Sequence, residues 1–412
     1  MAKKLSQRLM RIREQIIKRK GSFVSEMNPF SRDVALWRAV QKNAGASRIQ
    51  LRAALLKELV DIVPIVIPDD WYMAGEHLIS GQFISFGFLS RANEAQKFLA
   101  EMNLGEKELV QIKECVTLWN SNFHYVDTGT VPTEISIGRG WWGNYDSRTV
   151  FWSMGWIENH SIRDYRKVLR VGFRGIAEEI KNCMKQADIS DPTFAEKENF
   201  WRAGLLICEA GIRMGERYAE FARQKSVEAK DPSEEKRFSN IADRCSRVPA
   251  NGAETFADAV QSLWFAHILS CGEDGINANS IGRLDQILFP YYQNDVSSEH
   301  IRRDEAVEMM EELACKLYLE YDVQAITLGG CDSLGEDSSN EMSHIILEAT
   351  ENVDFIRDIC VRIGKKTPHD LIEKSARIAV RGGGIPFFFN DECFVEALTK
   401  RGIPLNDARD YA

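Results

Sequence analysis

The sequence predicts an α/β protein: a long, mainly helical first part that gives way to short strands alternating with helices. Three observations predict it. Apolar residues recur at three-to-four spacing through most of residues 1–270. Beyond about residue 300, short and nearly all-apolar runs separate such helices, which is how a sheet buried on both faces reads. The composition, 44% hydrophobic and 27% charged over 412 residues, is that of an ordered globular chain. The chain divides accordingly into residues 1–270, mainly helical, and 271–412, which carry the strands.

The opening "MAKKLSQRLMRIREQIIKRK" holds eight Lys and Arg against Glu14 alone. It has no apolar core or small-residue cleavage site, so it does not read as a secretory signal. A solvated helical face is the expectation, ahead of a membrane or RNA surface. "SRIQLRAALLKELVDIV" is amphipathic and is broken by the two prolines of "VPIVIPDD". "SIRDYRKVLRVGFRGIAEEIKNCMKQ" predicts one long helix with Tyr165, Val168, Leu169, Phe173, Ile176 and Ile180 on a stripe. "FWRAGLLICEAGIRMGERYAEFARQKS" predicts another, with Gly204, Ala210 and Gly211 allowing close packing. "AKDPSEEKRFSN" reads as a polar connection, and "AETFADAVQSLWFAHILS" as a third long helix.

Strands are expected at "VQAITLGG", "DICVRIG" and "IPFFFND", each preceded by a helix, with "ECFVEALTKRG" helical after the last. Such a sheet has an open edge. "RGIPLNDARDYA" reads as a turn followed by the start of a helix capped at Asn406 or Asp407.

Charge and cysteine usage exclude several classes. A net charge of −9 argues against nucleic acid, and no apolar stretch is long enough to span a bilayer. The nine cysteines are scattered without C-x-x-C or zinc spacing, as expected of reduced structural thiols in a cytoplasmic protein. The Gly382–Gly384 triplet follows a helix and precedes a strand, the wrong side for a phosphate loop, so a helix cap and turn account for it. Asp332, Glu336 and Asp337 lack a calcium ligand ladder and read as capping groups. Cys331 has no histidine nearby in sequence to activate it.

Two segments carry candidate chemistry. "EDGINANSIGRLDQILFPYYQND" gathers Asn277, Asn279, Ser280, Arg283 and Asp285. Asn279 or Ser280 offers directional hydrogen bonds to a small polar substrate, while Arg283 and Asp285 read as an internal ion pair. "WWGNYDSRTVFWSMGWIENHSIRDY" holds four of the nine tryptophans beside His160, which suits a dry pocket wall; alone, His160 reads equally as a capping group.

In order and spacing these segments resemble the glycyl radical enzymes of the pyruvate formate-lyase type over nearly the whole chain. The resemblance rests on "LRAALLKELVDIVPIVIPDDWYMAGEH", "NHSIRDYRKVLRVGFRGI", "VPANGAETFADAVQSLWFAH", "SIGRLDQILFPYYQND" and the series "ITLGG…NEMS…EAT…VRIGKKTP…GGGIPFFFNDE…GIPLNDARDYA". It implies a helical region leading into the first half of a ten-stranded β/α barrel, incomplete in this chain. In the family a segment like "DARDYA" precedes a Gly-Cys loop whose cysteine becomes the thiyl radical, so the catalytic cysteine is expected after Ala412 and none of the nine present matches it. The glycyl radical would lie on a missing C-terminal half or a second chain. A separate S-adenosylmethionine-dependent iron–sulfur activating enzyme would install it, and the complete enzyme would be a homodimer.

The resemblance also implies substrate-binding roles for His160 and Ser280, with Asn279 beside it, toward a small hydroxylated molecule in a dehydratase or lyase. Alone, the chain is expected to be inactive. The alternatives are a non-catalytic scaffold or binding protein derived from the fold, and one subunit of a split radical enzyme. An autonomous enzyme using Cys331 or His160 would instead turn over under air.

Overall fold

The structure, a computed structural model, describes residues 5–18, 31–79, 104–123, 162–274, 279–318, 324–354, 358–382 and 384–411. Among the described residues the strands lie after residue 325, as the alternation of apolar runs requires. β1 (Ile326–Gly329), β2 (Ile359–Ile363) and β3 (Phe387–Asn390) pair in parallel in that order. Ile326 lies opposite Ile359 and Cys360 opposite Phe387. On the other edge of β1, Gly282 bridges Ile326 in parallel, so the 281–282 segment adds a rung to the sheet.

The helices are α1 (Gln7–Lys18), α2 (Ser31–Lys42), α3 (Arg48–Ile62), α4 (Glu106–Phe123), α5 (Tyr165–Gln186), α6 (Phe194–Glu228) and α7 (Pro232–Arg247). They continue with α8 (Phe256–Asp274), α9 (Leu284–Ser297), α10 (Arg303–Tyr318), α11 (Glu341–Val353), α12 (His369–Ala379), α13 (Asp391–Lys400) and α14 (Leu405–Arg409). Local chemistry starts several of them: Ser47 and Gln50 form a capping box on α3, and Asp164 accepts from Lys167 N at the head of α5.

α8 is the central helix. Phe256, Leu263, Trp264, Phe265 and Ile268 are buried, and so are its polar Asp258, Gln261, Ser262 and His267. A helix buried all round must satisfy its polar groups within the protein. Asp258 takes an ion pair from Arg247, and Gln261 bonds both the amide and the carbonyl of Ala74.

Several expectations are corrected. "AKDPSEEKRFSN" is a connection only as far as Asp231, which caps α7 by accepting from Ser233 N; Pro232 then opens the helix. Phe238, Ile241, Ala242 and Cys245 bury its apolar face, a stripe hidden by the high charge of its first turns. α5 keeps the expected stripe but kinks at Gly172 (φ 63°), where a Cβ would lie 2.3 Å from the carbonyl carbon of Asn251. The close approach lets Phe173 N and Arg174 N donate to the carbonyls of Pro249 and Ala250.

α1 is solvated on one face, where Gln7, Arg11, Glu14 and Lys18 are exposed, but its other face is packed. Its buried Leu9, Ile12 and Ile16 are flanked by Arg8 paired with Glu308 and Glu312, and by Arg11 paired with Asp70. α14 begins after Pro404, two residues before the predicted cap. β1 is wholly and β2 almost wholly buried, but β3 departs from the expected two-sided burial: Phe387 is 47% and Phe388 40% exposed. Among the described residues no helix is long and apolar enough to cross a membrane.

Candidate functional site

Two polar clusters lie at opposite ends of β1. The first is built by the 279–282 segment. Ile281 N and Gly282 N both donate to Ala325 O, and Thr327 N donates to Gly282 O at 2.8 Å. Gly282 has φ +82°, and a Cβ there would sit 2.8 Å from Ile162, so a larger residue would push the segment off β1. Asn279, buried, and Ser280, half-buried, precede this rung and therefore stand at the end of β1 from which Gln324 enters.

Gln324 is tied to α8. Its Oε1 is 2.5 Å from His267 Nε2, and His267 Nδ1 is 3.0 Å from the Tyr165 hydroxyl. An amide oxygen only accepts, so Nε2 carries a proton. A pKa well below neutral leaves Nδ1 unprotonated near pH 7, where it accepts from Tyr165. Burial holds its pKa down at about 4, against the bond to Gln324 and helped by the positive charge of Arg163. Burial also pushes the Tyr165 hydroxyl far up. Cys271, one turn further along α8, places Sγ 3.6 Å from His267 Nε2.

His77 packs edge-on to Trp264 at 5.3 Å between ring centroids and lies 6.2 Å from the His267 ring. Neither of its ring nitrogens has a hydrogen-bond partner among the described residues. Burial first, then His267 and Lys316, holds its pKa well below the ordinary histidine value.

The second cluster occupies the C-terminal ends of the strands. Arg362, on β2, is fully buried and makes a two-pronged pair with Asp391 through Nε (2.9 Å) and Nη2 (3.0 Å). Asp391 also accepts from Cys331 N and from the Tyr411 hydroxyl. Burial works to raise its pKa, but the Arg362 bonds and charge outweigh that and hold it below the ordinary carboxylate value. Burial and the neighbouring Asp391 push the Cys331 thiol up, so the thiolate needed for nucleophilic work is disfavoured.

His160 and the tryptophan-rich segment before it lie outside the described residues. Asn279 and Ser280 share the end of β1 with Gln324, whereas Cys331 is at the other end, and Cys393 is exposed on α13. Arg283 and Asp285 are not an internal pair. Arg283 bonds Asp410 and the carbonyls of Gly329 and Cys331, while Asp285 accepts from Gly329 N and the Ser343 hydroxyl. His267, Gln324 and the Arg362–Asp391 pair were not singled out from sequence. The available signal was a polar residue inside an apolar run, "LWFAHILS" and "ICVRI", since such a group must bring a partner with it.

The family model of pyruvate formate lyase-like proteins matches residues 3–412. Trans-4-hydroxy-L-proline dehydratase of Clostridioides difficile is 33% identical over 261 residues, 59% of this chain and 33% of that protein. Isethionate sulfite-lyase of Nitratidesulfovibrio vulgaris is 29% identical over 270 residues, 61% of this chain and 33% of that protein. The glycerol-bound B12-independent glycerol dehydratase from Clostridium butyricum superposes with a TM-score of 0.82 at 28% identity, over 100% of this chain and 54% of that one. This chain therefore spans well under two thirds of the length of each of these relatives.

Proposed function

This chain belongs to the pyruvate formate lyase-like family, and from that premise we propose that it forms one side of the pocket of a glycyl radical lyase or dehydratase acting on a small hydroxylated molecule. Residues 1–270 would be the helical part of its catalytic domain and 271–412 the first half of a ten-stranded barrel. The match along its whole length to the fold of glycerol dehydratase carries the reading. Further support comes from Asn279 and Ser280, which approach a sheet end backed by the neutral His267–Gln324 pair.

In this reading Asn279 and Ser280 hold substrate hydroxyls, and His160 binds the departing one. His267 and Tyr165, buried behind them, keep Gln324 in one orientation and hold no proton that leaves near neutral pH. A thiyl cysteine and a glycyl radical would supply hydrogen abstraction from residues outside these 412, on a continuation or on a second chain. The activating partner would be a radical S-adenosylmethionine iron–sulfur enzyme.

The test is anaerobic complementation. The chain is mixed with a second chain carrying the Gly-Cys loop and glycyl-radical region, together with the activating enzyme. A glycyl radical signal in electron paramagnetic resonance, with consumption of a hydroxylated substrate such as glycerol, supports the reading. Failure of both in a stable complex would sink it.

A second reading, a non-catalytic scaffold, is favoured by the way both ends of the described chain are tied down, α1 to α10 and residues 409–411 to β2. A scaffold should be monodisperse and unfold cooperatively by itself. Aggregation with strong ANS binding would argue against it.

A further inference from the structure

We propose that Arg362 is a positioning residue that sets the course of the chain at Arg409–Tyr411 across the C-terminal ends of the strands. This rests on the reading above in one respect: in a radical enzyme of this family that course would set where the following loop meets the substrate.

The geometry begins with an arginine that has more donors than its carboxylate needs. Asp391 takes Nε and one bond from Nη2. Nη2 also donates to Arg409 O at 2.7 Å, and Nη1 donates to Tyr411 O at 2.5 Å. The guanidinium carbon lies 3.9 Å from the centroid of the Tyr411 ring, and the Tyr411 hydroxyl returns to Asp391 Oδ1 at 2.8 Å. Between them Arg362 and Asp391 hold the alternate carbonyls of Arg409 and Tyr411 and the ring and phenol of Tyr411. Arg283 holds the residue between, through Asp410 at 2.8 Å.

Packing the strand ends would not require this arrangement. β2 is satisfied by its ladder, and an apolar pair at 362 and 391 would bury as well. A charged fork in a buried strand position instead fixes the direction of a backbone that has no ladder of its own. A lysine, with one compact ammonium, could keep the charge opposite Asp391 but could not reach both carbonyls.

The experiment has two arms. In the chain by itself, hydrogen–deuterium exchange is followed at the amides of Ala408 and Asp410, which close α14 onto Pro404 O and Asp407 O. R362K should raise their exchange by about tenfold or more, leaving the β1 and β2 amides protected, while R362A should raise it further. Y411F, which removes only the phenol bond to Asp391, should change it least. Unchanged exchange in R362K, or an equal rise in the β1 and β2 amides, would overturn the proposal.

In the complemented enzyme, R362K should keep the wild-type glycyl radical amplitude and KM but lose about tenfold or more in kcat, since small displacements of reacting groups cost rate. Wild-type kcat in R362K would overturn the catalytic consequence. A wild-type complex that forms no radical at all would instead defeat the functional reading, and the exchange arm alone would then decide whether Arg362 sets the course of the segment.

Discussion

Among the described residues two cations are fully buried, Lys316 on α10 and Arg362 on β2, and they are used differently. Lys316 Nζ meets Glu76 at 2.5 Å and Gly75 O at 2.8 Å and lies 4.2 Å from the centroid of the Trp71 ring. These two hydrogen bonds and the ring contact stay within a buried patch joining α10 to Trp71–Glu76. Arg362 divides its fork between Asp391, the backbone that passes over the strands and a long contact to the Cys331 sulfur. A compact point charge closes a core; a planar fork with donors to spare holds something in place. The difference teaches that burial alone does not separate a stability device from a positioning one. What separates them is where the surplus donors point.

The largest expected effect breaks the first of these pairs. K316M leaves Glu76 buried and unpaired and should cost about 3–5 kcal/mol, read from the urea midpoint. E76L/K316M, which removes both charges, should recover most of that loss. A double variant as unstable as K316M would mean that packing, and not the orphaned carboxylate, sets the penalty.

Acid acts next, and on the helical part. The folded-state pKa of His267 is depressed from 6.5 to about 4 and that of His77 also lies well below 6.5, so the unfolded chain binds more protons in this window. Their contribution is complete above pH 6.5 and falls by roughly 1 kcal/mol per pH unit for His267 alone as pH drops toward its folded value. H267Q should flatten the fall in melting temperature between pH 6.5 and 4. An unchanged slope would show that His267 is not neutral in the fold.

The Arg362–Asp391 pair should ignore that window. The Asp391 pKa is held below 3.8, so its bonds are intact above that value and are lost only as pH falls through the lower folded value. The amide proton of Cys331, which donates to Asp391, should show no inflection in its chemical shift between pH 7 and 4. An inflection near pH 5 would place the carboxylate in a much weaker environment. The smallest effect is on the exposed strand: F388S should alter stability by no more than about 0.5 kcal/mol while lowering ANS binding. A large loss of stability would mean that β3 already packs its face within this chain.

Element types and their order can be read from local pattern alone. Strand positions within "VQAITLGG", "DICVRIG" and "IPFFFND", the stripe from Tyr165 to Ile180 and the parallel alternation all follow from local periodicity, which needs no partner to be legible. The family was legible too, because ordered short motifs survive at low identity. The start of α7 was missed because its apolar stripe lies under a charged first turn, and the kink at Gly172 because it answers to the backbone of Pro249–Asn251, far off in sequence. The polar pairings emerge from packing alone: Lys316 with Glu76, His267 with Gln324 and Tyr165, Arg283 with Asp410, Arg362 with Asp391. A buried polar group announces that it needs a partner, but which partner it meets is settled by how distant elements pack.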